Sequence, residues 1–591
     1  MPPRPPDRPA SRTRAIARPT GSLSGVLTTR QAAVFVAILT GVAFLNSFAG
    51  KFVLDDIQEI ERNPAMQRLL PPWQAMFVGN RLPARPLPYL TFAIDKSLWG
   101  DRPAGFHLTN LLVHVVAALA VYELARLTLL APRLRSRWGD RAVPLAMIIA
   151  MAWAVHPLQT QAVTYVYQRI ESMAGMFCLM SLVAYARAAA TGWPRGLLAA
   201  SVAAAAAAMA SKENAVVLPL LILAYDWFFV AESPRDWLRG LWRRRLYVAL
   251  LAATWLLVAG QLLFLGGKYQ EFREQKHVPL HYALTQAGVI LHYVRLAILP
   301  VGQQFDYSSW PVATSARQVL PALTVVLVAL AVTAVGTIRR QPWAWPAVLF
   351  FLALAPTSSI MPIEAVANEH RMYVALAGVV AAVVLGVVAA ADWIAARRPG
   401  WLPRDPRLPA AAAAVVLLLL VLATQFRNQL YSKVGGIWLD VLTKAPDNYR
   451  ANWMLASIFD CAGETEIGVQ FAERSVEHRP TSPVFSDLVN FHVMKGDHAG
   501  AERICRRSLE LQRARLAADD KAVLWTTADL VTVLILQRKL DEAATLCAAS
   551  IDAMRRVLGA SDPATISCAR ILAETAARRP PDAAAGSPLP P

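Results

Sequence analysis

The sequence predicts an all-α protein in two parts, a polytopic membrane bundle followed by an α-solenoid outside the membrane. Long apolar runs recur through the first 425 residues, arginines collect in the loops between them, and a repeat of about 34 residues follows the last run. Of the 591 residues, 55% are hydrophobic and 17% are charged, against about 45–50% and about 25% in soluble domains. This composition excludes an ordinary soluble enzyme.

The change in composition sets the predicted domain boundaries. Residues 1–30 are rich in Pro and Arg and are expected to be a disordered cytoplasmic tail. The first apolar run lacks a small-residue cleavage pattern, so it is expected to remain as a span. Residues 31–426 are then the membrane domain, 427–579 the repeat domain and 580–591 a second disordered tail.

The predicted spans come from apolar runs that can cross a bilayer core of about 30 Å. Eleven such runs start near residues 31, 107, 143, 172, 196, 214, 246, 318, 342, 372 and 408. Arginines collect in alternate loops, including 133–141, 235–245 and 397–407, and the positive-inside rule places these loops in the cytoplasm. The formal charge of +18 is therefore interpreted as a topology signal and not as a nucleic-acid-binding surface.

One apolar segment, residues 286–300, carries His292 and Arg295. If this segment crossed the membrane, Arg339 and Arg340 would lie outside, against the charge rule. We interpret it as a re-entrant or interfacial helix. The resulting odd number of crossings places the repeat domain outside the cytoplasm.

The C-terminal region carries a helical repeat. Pro446 and Pro480 are 34 residues apart, and Gly463 and Gly496 are 33 apart. A small residue follows each of these glycines by five positions. This period is typical of tetratricopeptide repeats, which commonly bind peptides or proteins.

Ionisable and polar residues are predicted to collect on the outer face of the membrane domain, where they are a sign of function. The outer segments carry Asp55, Asp56, Arg81, Arg85, Asp95, His107, Asn110, His156, Gln161, Tyr165, Arg169, Glu171, Lys212, Glu213, Asp306, Tyr307, Glu364, Glu369, His370 and Arg371. A transporter would place such groups near the midplane. The pattern favours an active site at the outer surface.

The residue types in these segments indicate a group transfer with an anionic leaving group. Asp55 or Asp56 fits the role of a base that deprotonates an acceptor hydroxyl. Arg85, Lys212, His370 and Arg371 are candidates for stabilising a phosphate that leaves. The alternatives are a helix-capping role for the two aspartates and a simple ion pair between Lys212 and Glu213.

Several motifs together resemble the GT-C glycosyltransferases, and within them the transmembrane and TPR-containing protein O-mannosyltransferase-like (TMTC-like) group. They are LDD after the first span, RPLPYLTFAID, HPLQTQAVTYVYQRIES, SKENAVVLPLLILAYDW and PTSSIMPIEAVANEHRMY, followed by the repeats. The resemblance implies a GT-C-like bundle, a polyprenyl-phosphate sugar donor and inversion at the anomeric carbon. It also implies that Asp55 and Asp56 form the acidic pair and that Glu369, His370 and Arg371 lie near the lipid phosphate.

The sequence thus predicts a multi-pass glycosyltransferase of a bacterial inner or plasma membrane. Its expected acceptor is Ser or Thr of an exported protein held by the repeats. An envelope glycan or lipid acceptor and a non-enzymatic assembly factor or transporter are the alternatives. The scheme requires no metal, although the outer carboxylates leave room for a divalent cation. The five cysteines lack the CxxC spacing of a zinc site.

Overall fold

The computed structural model describes residues 28–77, 85–264, 278–359, 362–363, 365–398, 400–401, 405 and 407–578. All regular secondary structure in these residues is helical. Most of the two predicted disordered tails, together with Arg81 and Glu364, lies outside the described residues.

The first part of the chain forms a bundle of α-helices joined by short helical turns. Its α-helices are Thr29–Phe44, Pro72–Phe77, Pro86–Trp99, Pro103–Leu129, Pro132–Trp138, Ala142–Ala154, Thr160–Val163, Arg169–Ala190, Arg195–Met209, Leu218–Tyr225, Pro234–Arg243, Arg245–Ala253, Trp255–Phe264, Pro279–Ile298, Ala316–Ile338, Trp345–Leu354, Met372–Arg397 and Arg407–Gln429.

The bundle has the helices of a multi-pass membrane protein. Seven described helices are long and apolar enough to cross a membrane, and one bent pair, Pro132–Ala154 with Pro157–Val163, passes as an eighth. Three shorter apolar helices coincide with the remaining predicted runs: Arg195–Met209, Arg245–Gln261 and Pro342–Leu354. The membrane bundle is confirmed, while the count of eleven crossings stays a prediction.

Lipid-facing helices are distinguished by how little of them the protein covers. Only 11% of the apolar window is buried in Ala316–Ile338 and in Arg407–Gln429. In contrast, 61% is buried in Pro103–Leu129 and in the segment Val166–Ala190. The second pair therefore lies at the centre of the bundle, where it can position polar side chains.

The helix Pro279–Ile298 contains most of the segment interpreted as re-entrant. Tyr293 and Leu296 are fully buried within the main hydrophobic core. At its end Arg295 donates to the carbonyl oxygen of Val301 at 2.9 Å. Its interpretation as a non-crossing helix stays a prediction.

The repeat domain is a series of antiparallel helix pairs. Its helices are Gly436–Lys444, Tyr449–Cys461, Thr465–His478, Val484–Met494, His498–Arg513, Lys521–Leu536, Leu540–Val557 and Pro563–Arg578. Small residues lie where the helices touch: Ala501 and Ala543 are fully buried, and a Cβ on Gly468 would come within 2.9 Å of the Ala456 carbonyl oxygen. The predicted α-solenoid is confirmed.

A second hydrophobic core, here called the outer cluster, joins the two parts. Its buried members include Ile60, Phe106, Tyr165, Phe305 and Trp438. The ring of Phe305 contacts the rings of Tyr165 at 5.2 Å and Trp438 at 5.1 Å, both edge to face, an arrangement that adds to the stabilisation from burial. The first helices after the last span therefore pack into the same core as the loops of the membrane domain.

Candidate active site at the outer face

The turn that carries the two aspartates is strained and tightly held. Leu54 has a φ of 50°, a backbone conformation that residues other than Gly disfavour. The carboxylate of Asp56 accepts hydrogen bonds from the backbone N–H groups of Val53 at 2.9 Å and Tyr167 at 2.6 Å. These bonds tie the turn to the segment that precedes Arg169–Ala190 and fix the direction of Asp55.

Asp56 is fully buried. Burial raises the pKa of its carboxyl well above the usual value, although the backbone hydrogen bonds oppose this effect. Because each of its oxygens accepts a backbone N–H, Asp56 positions the loop.

Asp55 is only half-buried. The hydroxyl of Tyr165 donates to Asp55 Oδ2 at 2.7 Å, and the Asp55 backbone N–H donates to the same hydroxyl oxygen at 3.1 Å. Burial and the charge of Asp55 raise the pKa of Tyr165 well above its usual value, so the phenol stays a neutral donor. Within the described residues Asp55 Oδ1 has no hydrogen-bond partner and is available to accept a proton.

The segment from Gln161 to Tyr165 connects this turn to the sequence Glu369-His370-Arg371, here called the EHR motif. Gln161 Oε1 accepts from the backbone N–H of His370 at 2.8 Å and lies 3.2 Å from His370 Nδ1. Since an amide oxygen only accepts, Nδ1 carries the ring hydrogen. Gln161 also donates to the Phe305 carbonyl oxygen at 2.8 Å. One short segment thus contacts Asp55 and His370.

Arg371 is a buried cation held by neutral oxygens. Its Nη1 donates to the carbonyl oxygen of Val366 at 3.1 Å, with Thr357 O and Tyr282 Oη at longer distances, and its Nη2 donates to Ala365 O at 2.6 Å. No carboxylate lies within 4.0 Å of it in the described part of the chain. Its Nε–H and one Nη2 hydrogen have no partner there, which leaves donors for a bidentate oxyanion.

Arg85 and Lys212 are both paired with carboxylates. Arg85 binds Glu213 through two hydrogen bonds of 2.6 and 3.1 Å. Lys212 binds Glu171 at 2.7 Å, and Asn214 donates to the other Glu171 oxygen at 2.9 Å. The alternative of an ion pair between Lys212 and Glu213 is therefore wrong. In the turn with the sequence SKEN, residues 211–214, Lys212 pairs with the helix Arg169–Ala190 and Glu213 pairs with the residue that precedes Pro86–Trp99.

Glu369 is fully buried and holds an outer loop. Its Oε1 accepts from the Gln304 backbone N–H at 2.6 Å and from the Tyr307 hydroxyl at 2.7 Å, and Gln303 donates to Oε2 at 3.1 Å. Arg427, at the end of the last span, lies 4.0 Å away. These contacts suit a positioning role better than direct contact with a phosphate.

Two hydrogen bonds link the candidate base to the motif that carries a candidate cation. Tyr165 donates to Asp55, and Gln161 accepts from His370, the neighbour of Arg371. The charges of Lys212, Arg371 and Arg85 all affect His370. Segments that are hundreds of residues apart in sequence therefore meet at one place. This arrangement can hold an anion beside a carboxylate that accepts a proton.

Sequence reasoning did not assign roles to three residues that shape this centre. Gln161 and Tyr165, four residues apart in HPLQTQAVTYVYQRIES, carry the contacts to His370 and Asp55. Arg427 interacts with Glu369 and pairs with Asp440 at 2.7 Å. The only signal for Arg427 was a charge that ends an apolar run.

No group of three or more His, Cys, Asp or Glu side chains in the described ranges could hold a metal ion.

Known proteins are similar to this chain in two respects, the tetratricopeptide repeat and the sequence of the O-mannosyl-transferase relatives. The tetratricopeptide repeat family matches residues 523–564. Human protein O-mannosyl-transferase TMTC4 is 32% identical over 180 residues, which cover 28% of this chain and 24% of that protein. Drosophila melanogaster Tmtc2 is 33% identical over 33% of this chain and 21% of its own length. Mouse TMTC3 is 26% identical over 49% of this chain and 30% of its own length.

Among solved structures, the crystal structure of ArnT from Cupriavidus metallidurans bound to undecaprenyl phosphate aligns with 88% of this chain and 92% of that chain. The identity is 14% and the TM-score 0.36. The curated relatives are matched over less than a third of their own length. The chain is thus similar to part of the TMTC protein O-mannosyl-transferases and carries a tetratricopeptide repeat, which confirms the resemblance found in its motifs.

Proposed function

We propose that this protein is an inverting membrane glycosyltransferase of the GT-C type. It transfers a sugar from a polyprenyl-phosphate donor to a hydroxyl group outside the cytoplasm, and its preferred acceptor is Ser or Thr of an exported protein. The similarity to protein O-mannosyl-transferases supports the reaction class. We place it in a bacterial inner or plasma membrane with the N-terminus in the cytoplasm and the repeats outside.

One observation carries this proposal. The short segment Gln161 to Tyr165 holds a half-exposed carboxylate, Asp55, at one end and the EHR motif with the buried cation Arg371 at the other. A glycosyl transfer from a lipid phosphate needs this pair of functions, because a proton leaves the acceptor while negative charge develops on the phosphate.

The proposed reaction is a single displacement. Asp55 Oδ1 accepts the proton of the acceptor hydroxyl as the hydroxyl oxygen bonds to the anomeric carbon. The bond between that carbon and the phosphate oxygen breaks, and polyprenyl phosphate leaves with the electron pair. Arg371 binds the departing phosphate through its Nε–H and the Nη2 hydrogen that have no partner among the described residues, while Arg85 and Lys212 contribute positive charge from their ion pairs.

The direct test uses the purified full chain in lipid with radiolabelled polyprenyl-phosphate sugars and an extract of envelope proteins. We expect label to move into protein from at least one donor, and its release by base to identify Ser or Thr linkage. Label in glycan or lipid would support the alternative acceptor class. A lack of transfer from every donor would favour the assembly-factor or transporter alternative.

Replacing Arg371 with Gln is expected to weaken binding of polyprenyl phosphate by about 10–100-fold, the worth of a charge-assisted bidentate contact. Arg371→Lys should be intermediate, because it keeps the charge and loses the planar fork. Binding is measured by competition with a labelled donor.

The matched control is Arg340→Gln. Arg340 is also buried and also donates to backbone carbonyls, those of Trp227 and Ala231, but it lies on the predicted cytoplasmic side. If both variants weakened donor binding equally, general loss of structure would explain the effect and the phosphate role of Arg371 would fail.

Shortening the repeat domain is expected to separate acceptor capture from chemistry. A chain ending at Arg479 keeps the helices that pack into the outer cluster, including Gly436–Lys444 and Tyr449–Cys461. It should retain transfer to a short peptide while its KM for a protein acceptor rises by about tenfold or more, because the tethered site is lost. Steady-state kinetics with both acceptors measure the difference.

A chain ending at 426 is the comparison, because it would also remove Trp438 from the outer cluster. We expect this chain to be poorly folded. Unchanged KM values in the chain ending at Arg479 would contradict acceptor binding by the distal repeats.

A further inference from the structure

Two buried cysteines face each other in the last helix pair that the structure describes. Cys547 lies in Leu540–Val557 and Cys568 in Pro563–Arg578, and both are fully buried. Both are free thiols in the structure, and their Sγ atoms are 2.6 Å apart, which is much closer than two unbonded sulfur atoms pack; a disulfide would bring them to about 2.05 Å. We propose that Cys547 and Cys568 form a disulfide bond in the mature protein.

The other cysteines differ in their surroundings. Cys178 and Cys505 are buried and Cys461 is exposed. Within the described ranges none of these three has another cysteine in hydrogen-bonding distance. The geometry therefore selects a single pairing among the five cysteines.

The position of the pair gives the bond a structural role. The helix Pro563–Arg578 packs against Leu540–Val557 and Lys521–Leu536, both on one side of it. In a repeat protein each unit is stabilised by its contacts with neighbouring units, and units with few such contacts open more readily. A bond between positions 21 residues apart restricts the unfolded ensemble of this helix pair and holds Pro563–Arg578 against Leu540–Val557.

Formation of the bond needs a partner of defined chemistry. The thiolate of one cysteine attacks the disulfide of an extracytoplasmic thiol–disulfide oxidoreductase, and the second thiolate then displaces that protein from the mixed disulfide. The cysteine pair loses two electrons and two protons, and the oxidoreductase leaves as a dithiol. Because cytosolic thiols are kept reduced, this inference rests on the proposed placement of the repeat domain outside the cytoplasm.

The test combines peptide mapping with a topology probe in the same cells. Cells carrying the full chain are lysed in excess alkylating reagent without reductant, and the purified protein is digested and analysed by mass spectrometry. In parallel, intact spheroplasts are treated with a membrane-impermeant maleimide that reports on the exposed Cys461. We expect a linked peptide joining Cys547 to Cys568, alkylated Cys505, and maleimide on Cys461.

Two failures are distinguishable. Alkylated Cys547 and Cys568 together with labelled Cys461 would overturn the disulfide while leaving the placement of the domain intact. Alkylated Cys547 and Cys568 together with unlabelled Cys461 would overturn both the disulfide and the placement.

Limited proteolysis tests the structural role. Adding dithiothreitol to the wild-type protein is expected to speed cleavage within residues 563–578 by up to about 100-fold, the entropic effect of closing a loop of this size. Cys547→Ser should reproduce the fast cleavage without reductant, whereas Cys505→Ser, another buried cysteine of the same core, should remain sensitive to reductant. Equal cleavage with and without reductant would contradict the stabilising role.

Discussion

Replacing Asp55 with Asn is expected to lower the transfer rate by about 10²–10⁴-fold, the usual contribution of a positioned base. The amide keeps the size of the side chain and can still accept the hydrogen bond from Tyr165, but it cannot take a proton from the acceptor. Because the acceptor and donor contacts remain, we expect the loss in kcat and little change in KM for the donor. Single-turnover assays with a labelled lipid-linked sugar measure the chemical step.

Asp56→Asn is the matched control, since it makes the same chemical change one residue away. An amide nitrogen cannot accept, so one of the backbone N–H groups of Val53 and Tyr167 loses its partner. We expect a loss of stability of about 1–3 kcal/mol and a smaller loss of kcat in the protein that remains folded. A larger kcat defect in folded Asp56→Asn than in Asp55→Asn would assign the base to Asp56.

The largest stability effect is expected at the ion pair between Arg169 and Asp95. Both side chains are almost fully buried, and Arg169 Nη2 lies 2.6 Å from Asp95 Oδ2. The guanidinium also donates to Asn110 at 2.5 Å and to the Phe106 carbonyl oxygen at 2.9 Å. Asp95→Asn leaves the Arg169 charge without its carboxylate, which costs about 3–5 kcal/mol, measured as thermal unfolding in detergent.

The pair Arg141–Asp392 provides a comparison at the surface. It has a similar length of 2.7 Å, but its side chains are 41% and 45% exposed. Asp392→Asn should change stability by at most about 1 kcal/mol. If the two substitutions destabilised the protein equally, burial would not be the reason for the importance of Asp95.

The sequence predicted most of the fold because its signals are strong and local. A run of apolar residues long enough to span a bilayer specifies a helix, and the eleven runs all coincide with helices. The spacing of Gly463 and Gly496 likewise predicted the paired helices of the repeats. These features require no knowledge of which segments meet.

The site was harder to predict because its roles depend on contacts between distant segments. The letters LDD do not show that Asp56 accepts from two backbone N–H groups while one Asp55 oxygen has no partner in the described part of the chain. Likewise, the letters SKEN do not show that Lys212 forms an ion pair with Glu171 and that Glu213 forms one with Arg85. Partners more than 40 residues apart are decided by packing, which a single sequence does not display.

If the repeats hold a protein acceptor as proposed, the outer cluster affects where that acceptor lies relative to Asp55. Phe305 touches both Tyr165, which holds Asp55, and Trp438 of the first helix after the last span. The first helix of the repeat domain therefore packs into the same cluster as the residue that holds Asp55. Under the proposed function, an acceptor bound by a given distal repeat would then present to Asp55 those hydroxyls that lie a similar number of residues from the bound segment. The acceptor hydroxyl would then be selected by its distance in sequence from the segment that the repeats bind. Adding or removing a repeat would shift the modified position.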